Sequence, residues 1–156
     1  MFDQIGGLPV HALVLHTAVV FIPLLALGAI VYAVVPVWRG RIGWAVVLLA
    51  IIAPVCAFAT RESGVKLYNR VINPNTNARL RTLVDQHMHF GTRTMWFTIA
   101  LGVATLVMTI ATLRRPGKRL PRVPDVALGV VLVVLAVISG YYVYRTGDSG
   151  AHAIWG

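Results

Sequence analysis

The sequence predicts an all-α protein: a four-helix transmembrane bundle of up-down topology, with the third helix extended beyond the membrane. Three observations predict it. Hydrophobic residues make up 58% of the 156-residue chain and charged residues 12%. The apolar residues fall in blocks at about 10–37, 42–60, 90–113 and 125–145. Each block is close to the ~20 residues that carry a helix across ~30 Å of hydrocarbon. The cations gather between the blocks, at the ends of spans, where membrane proteins keep them.

The first block opens at Leu8-Pro9, since Pro suits the first turn of a helix. It has no basic leader, for Asp3 is the sole charge before Arg39, so it reads as a retained helix and not a cleaved signal. Pro23 and Pro54 sit inside the first two spans, where a bundle in lipid tolerates them. Pro36 and Trp38-Arg39-Gly40-Arg41 close the first span with an aromatic and two cations. The turn that follows is short, which makes spans one and two antiparallel neighbours. The second span ends near Thr60, and residues 61–86 form an extracytoplasmic loop with a turn at Asn73-Pro74-Asn75-Thr76-Asn77. Leu80, Leu83, Val84, His87, Gly91, Thr94 and Met95 then recur at spacings of three and four. That is one face of a helix that starts outside the bilayer and runs into the third span. The fourth span runs from Asp125 to about Arg145, and a short tail follows it. No internal repeat is read.

Lys+Arg are even on the two sides, seven and seven. The segment Arg114-Arg115-Pro116-Gly117-Lys118-Arg119-Leu120-Pro121-Arg122 is the densest cluster and lies in a short loop, 114–124. It marks the cytoplasmic face, which puts both termini of this multi-pass chain outside the cell membrane. The net charge of +9 is therefore a topology signal, and no nucleic-acid partner is expected. Cys56 is alone, so an intrachain disulfide is excluded. No nucleophile, phosphate-loop or zinc-protease motif is present, which argues against an enzyme.

The five histidines all fall on one side. His16 sits near the outer hydrocarbon boundary, His11 about 8 Å and His87 about 10 Å above it, at 1.5 Å per residue. His11 and His16 are five residues apart, about 140° around the helix, so they do not share a face. His89 points away from the apolar face that carries His87. Three readings stand. In one, His87 and a helix-one histidine (His11 or His16) are axial ligands of a haem b that passes electrons. Gly91, Ala136 and Gly140 would leave room for the porphyrin. In another, His11, His16 and His87, or His11 and His87 with His152, Asp85, Asp148 or Glu62, hold zinc or copper. In the third, the histidines are structural and the protein is an accessory or scaffold subunit of a membrane complex. Arg145 and Asp148 are expected to pair. No path of polar groups through the bilayer is read, which disfavours a transporter.

Gly7-Leu-Pro-Val-His11-Ala-Leu-Val-Leu-His16 with Pro23, Ser63-Gly64, His87 with Gly91, and Val143-Tyr144-Arg145-Thr146-Gly147-Asp148-Ser149-Gly150-Ala151 with Ala153 and Trp155 occur in that order. In this the chain resembles the four-helix membrane family called domain of unknown function 2231, in its actinobacterial form. The resemblance implies His11, His16 and His87 as the family's histidines, with His89 outside the pattern. Relatives joined to iron–sulfur or cytochrome c modules imply redox or respiratory membrane partners. Val65 stands where an acid is expected and His152 where a Lys is usual, so neither position draws support from the resemblance.

Overall fold

The computed structural model describes residues 4–5, 8–113 and 121–155. A two-residue antiparallel ladder pairs Gln4–Ile5 with Leu8–Pro9. Four helices follow: α1 Val10–Val34, α2 Arg39–Val71, α3 Ala78–Leu113 and α4 Arg122–Trp155, with a 3-10 turn at Pro36–Trp38 between the first two. All four are long and apolar enough to cross a membrane. Each helix packs along its neighbours in sequence, and α4 closes the ring against α1. The result is the up-down bundle that the hydropathy pattern requires. Its outer surface carries exposed Leu27, Trp44, Leu48, Val55, Trp96 and Val103, the apolar exterior that a helical bundle presents to lipid.

The ends of α2 and α4 differ from those read in the sequence, while α3 starts outside the third span as the Leu80–Met95 spacing predicts. Residues 61–71 continue α2 and residues 78–86 already belong to α3, so the expected loop 61–86 shrinks to residues 72–77. Leu67, Tyr68, Val71, Leu80 and Val84 give both extensions an apolar face turned to a shared cavity. That packing outweighs the polar residues between them. The turn itself forms where the Asn cluster predicts it. The Asn75 N–H donates to Asn73 Oδ1 (2.9 Å), and the Asn77 side chain caps α3 by accepting from the Arg79 N–H (2.8 Å). The tail after Arg145 is likewise helical and carries α4 to Trp155. The basic segment 114–120 lies outside the described residues.

At the end of the bundle away from the histidines, one side chain ties three helices. Arg39, in the first turn of α2, donates from Nε to the Tyr32 carbonyl (2.9 Å) and from Nη2 to the Ala33 carbonyl (3.2 Å). Those are carbonyls that the end of α1 leaves without an N–H. Its Nη1 reaches Asp125 (2.7 Å) in the first turn of α4, where a carboxylate also suits the helix dipole.

The bundle is a duplication, which corrects the reading of no internal repeat. The six buried α1 positions Ala18, Ile22, Leu25, Ala26, Ala29 and Tyr32 correspond, at a constant offset, to buried Thr94, Thr98, Leu101, Gly102, Thr105 and Met108 of α3. On α2, Val46, Ala50 and Ala53 correspond in the same way to buried Leu132, Ala136 and Ser139 of α4. The hairpin α1–α2 and the hairpin α3–α4 are thus two copies of one unit. They pair about an approximate two-fold axis that runs along the bundle. The chemistry of the paired positions differs (Ile22 against Thr98, Ala53 against Ser139), so the repeat lives in burial and not in identity.

Candidate functional site

The histidine end of the bundle holds a cavity of about 540 Å³ between all four helices. Its walls are almost entirely apolar: Leu15, Ile22, Leu67, Val84, Met88 and Met95 are among them. Two imidazoles face into it, His11 from α1 and His87 from α3.

Each ring is held in the same way by the next helix. His11 Nδ1 lies 3.2 Å from the Thr60 carbonyl and 3.0 Å from the Ser63 hydroxyl. His87 Nδ1 lies 3.1 Å from the Thr146 carbonyl and 3.2 Å from the Ser149 hydroxyl. A carbonyl can only accept, so Nδ1 carries the proton in both rings. Each serine hydroxyl in turn donates to that same carbonyl, at 2.8 Å for Ser63 and 3.1 Å for Ser149. Its lone pairs are left to accept from Nδ1. In the neutral ring this fixes the tautomer, and the bare lone pair is on Nε2. Burial pushes His11 below the usual imidazole range, with the Thr60 carbonyl bond opposing in part. His11 is therefore neutral at pH 7.

The backbone makes way for both rings. A Cβ on Gly64 would meet His11 Cε1 at 3.1 Å, and a Cβ on Gly150 would meet His87 Cε1 at 3.0 Å. Thr60-Arg61-Glu62-Ser63-Gly64 and Thr146-Gly147-Asp148-Ser149-Gly150 are thus one five-residue motif, Thr-x-acid-Ser-Gly, used twice. The threonine carbonyl and the serine orient the imidazole, and the glycine clears its edge. This motif was open to sequence reading. The signal is the recurrence of Thr, acid, Ser and Gly at one spacing, each copy following a histidine-bearing helix.

The other residues singled out by sequence are distributed differently. His16 is exposed on α1 and does not line the cavity. The pair that meets is His11 with His87, not His16 with His87. His16 lies about 140° around the helix from His11, so only one of the two can face inward. Gly91 lines the cavity, whereas Gly140 does not, and a Cβ there would touch nothing within 4 Å. Ala136 is buried in the helix packing instead. His89 and His152 are exposed, and His152 Nδ1 turns back to the Asp148 carbonyl at 2.9 Å. Among the described residues, no three of His, Cys, Asp or Glu come together as a metal site. The zinc or copper set of His11, His16 and His87 is therefore not assembled, and neither Asp85, Asp148, Glu62 nor His152 completes it. Arg145 does not pair with Asp148 but lies over the Phe90 ring, 4.9 Å from its centroid.

No curated protein and no solved structure matches the chain. A family model does, over residues 7–156, and its description is that of a predicted membrane protein. That span takes in both hairpins and both copies of the histidine motif, and the chain belongs to the DUF2231 family of predicted membrane proteins.

Proposed function

We propose that this protein is a membrane haem b carrier in which His11 and His87 would hold the haem iron, and that it would pass electrons to redox partners in or at the membrane. One observation carries the reading. Two imidazoles from diagonal helices line one apolar cavity, each with Nδ1–H committed to a backbone carbonyl and Nε2 left to bind. A carbonyl on the far nitrogen fixes the orientation of a ligating histidine and raises its basicity. Paired neutral imidazoles in a helical bundle are an established way to hold haem iron. The fit is chemical as well as spatial, since the walls are apolar and the volume lies in the usual range of ligand pockets, roughly 300–1,000 Å³. When bound, the haem supplies one-electron chemistry. The chain's residues hold the rings, exclude water and set the local dielectric. A two-coordinate, two-histidine site lacks the further ligands that zinc or copper takes, which disfavours those metals.

The histidine end is the extracytoplasmic end in this reading, because the short basic loop 114–124 marks the opposite face. The test is spectroscopic. Protein purified in detergent, or reconstituted with haem b, shows a Soret band of a six-coordinate low-spin haem. His11→Ala or His87→Ala converts or abolishes it, and His16→Ala leaves it unchanged. A wild-type protein that takes up no haem refutes the proposal and leaves the accessory-subunit role in its place.

A further inference from the structure

The two-fold axis makes the cavity nearly symmetric, so the places where its lining departs from symmetry report on the guest. His11 answers His87, Ala18 answers Thr94, Thr60 answers Thr146, and Gly64 answers Gly150. The departure in charge falls at one pair, Arg61 on α2 against Gly147 on α4. Among the described lining residues, Arg61 is the one that carries a formal charge. It follows directly on Thr60, whose carbonyl holds His11.

The state of the guanidinium is specific. Nη1 donates to Glu62, while Nε is buried and has no hydrogen-bond partner among the described residues. A guanidinium binds a carboxylate best through two parallel N–H donors, and Nε with Nη2 is such an edge. Burying an N–H donor without an acceptor is costly, so a turn of this part-exposed side chain that brings Nε and Nη2 onto an acceptor in the cavity it lines is favoured. At the equivalent place across the axis, Gly147 offers room and no charge, and a Cβ there would meet nothing within 4 Å.

We infer that Arg61 anchors a carboxylate of the molecule held between His11 and His87, and so fixes which way round that molecule sits. The inference rests on the haem reading, in which the carboxylate is one of the two propionates of haem b. The carboxylate edge of the guest would then lie on the α2 side of the cavity, beside Arg61. Arg61 is a binding and orienting residue here. It neither ligates the iron nor forms part of the histidine supports.

The test compares two porphyrins that differ in the carboxylates alone. Full-length protein freed of haem is titrated with haem b and with haem b dimethyl ester, and both affinities are read from the Soret band. Wild type binds the free acid about tenfold more tightly, the preference expected of a charge-assisted fork. Arg61→Gln abolishes the preference while retaining ester binding. The double change Arg61→Gly with Gly147→Arg moves the guanidinium across the two-fold axis and restores it. Equal affinity of wild type for the two porphyrins overturns the inference without touching the haem reading. So does an Arg61→Gln variant that weakens both alike, which is what a purely structural role for the Arg61–Glu62 pair would give. Failure of wild type to bind either porphyrin overturns both.

Discussion

The serine and the carbonyl that share each Nδ1–H do different work. The carbonyl dictates the tautomer, and the serine holds the ring in azimuth. Ser63→Ala and Ser149→Ala are each expected to leave the bundle folded and to loosen one ring. Broadened haem spectra and an affinity lower by about tenfold, near 1.4 kcal/mol, are the measurable result. Gly64→Ala and Gly150→Ala act on the same rings from the side. A methyl 3.1 or 3.0 Å from Cε1 pushes the imidazole away from its carbonyl, so both should impair ligation while the helix itself gains slightly. A single-site loss in either copy should match the loss in the other, which is a direct readout of the two-fold relation. Acid acts through His11. Its native imidazole is held below the usual range, so the unfolded chain binds the proton more readily. Its contribution to stability is complete above about pH 6.5 and declines as pH falls below that value toward the lowered native pKa. Thermal unfolding of the haem-free protein in detergent at pH 8, 6 and 5 should show this loss, and His11→Gln should reduce it.

At the scale of elements, the close approach of α2 and α3 decides stability. Pro54 lacks the N–H that would bond the Ala50 carbonyl, and that carbonyl rests against Gly102. A Cβ at Gly102 would sit 2.7 Å from Ala50 O and 2.7 Å from Pro54 Cγ. One neighbour is backbone and the other a ring, and neither can swing aside. Gly102→Ala should therefore destabilise the bundle by about 1–3 kcal/mol, seen as a lower Tm in detergent. Thr98 offers the opposite change. Its hydroxyl is fully buried with no partner among the described residues, whereas Thr94, Thr105 and Thr109 bond carbonyls of the preceding turn. Thr98→Val keeps the shape and removes the unsatisfied group, so it should raise Tm by an amount equivalent to about 1 kcal/mol. These elements also show what the sequence could tell. The four spans were legible because lipid demands ~20 apolar residues from each. The ends of α2 and α4 were not. Leu67, Tyr68 and Val71 are too few to register as a span, and they matter because the helix extensions pack around the cavity. His11 over His16 was equally hidden, since helical spacing separates their directions but does not say which faces inward.

At the scale of the molecule, the two hairpins are the units, and residues 72–77 join them. Each hairpin buries a continuous face against the other, and the link adds an Asn-capped turn and no core residue. Fragments 1–75 and 76–156 expressed together should co-purify and take up haem with an affinity near that of the intact chain. Their failure to associate would show that the connection, and not the shared core, holds the halves in register. The Arg39 clasp lies at the far end and crosses the division, since it joins α1 and α2 to α4. Arg39→Ala should cost roughly 3 kcal/mol by leaving Asp125 half-buried without a counter-ion, and it should hurt the split protein more than the continuous one.

The duplicated histidine motif says something about ancestry. A peptide of half this length, associating with its own twin, would already have carried one imidazole, one threonine support and one serine on each side of a shared vault. Such a homodimer grips a guest evenly and cannot tell one end of it from the other. Two such units within a single chain need not be identical. Pro54 could then arise opposite Gly102 without demanding the same collision twice, and an arginine could stand at position 61 while its counterpart stayed a glycine. Two copies within one chain leave each free to change alone, which is what a cavity with a direction requires.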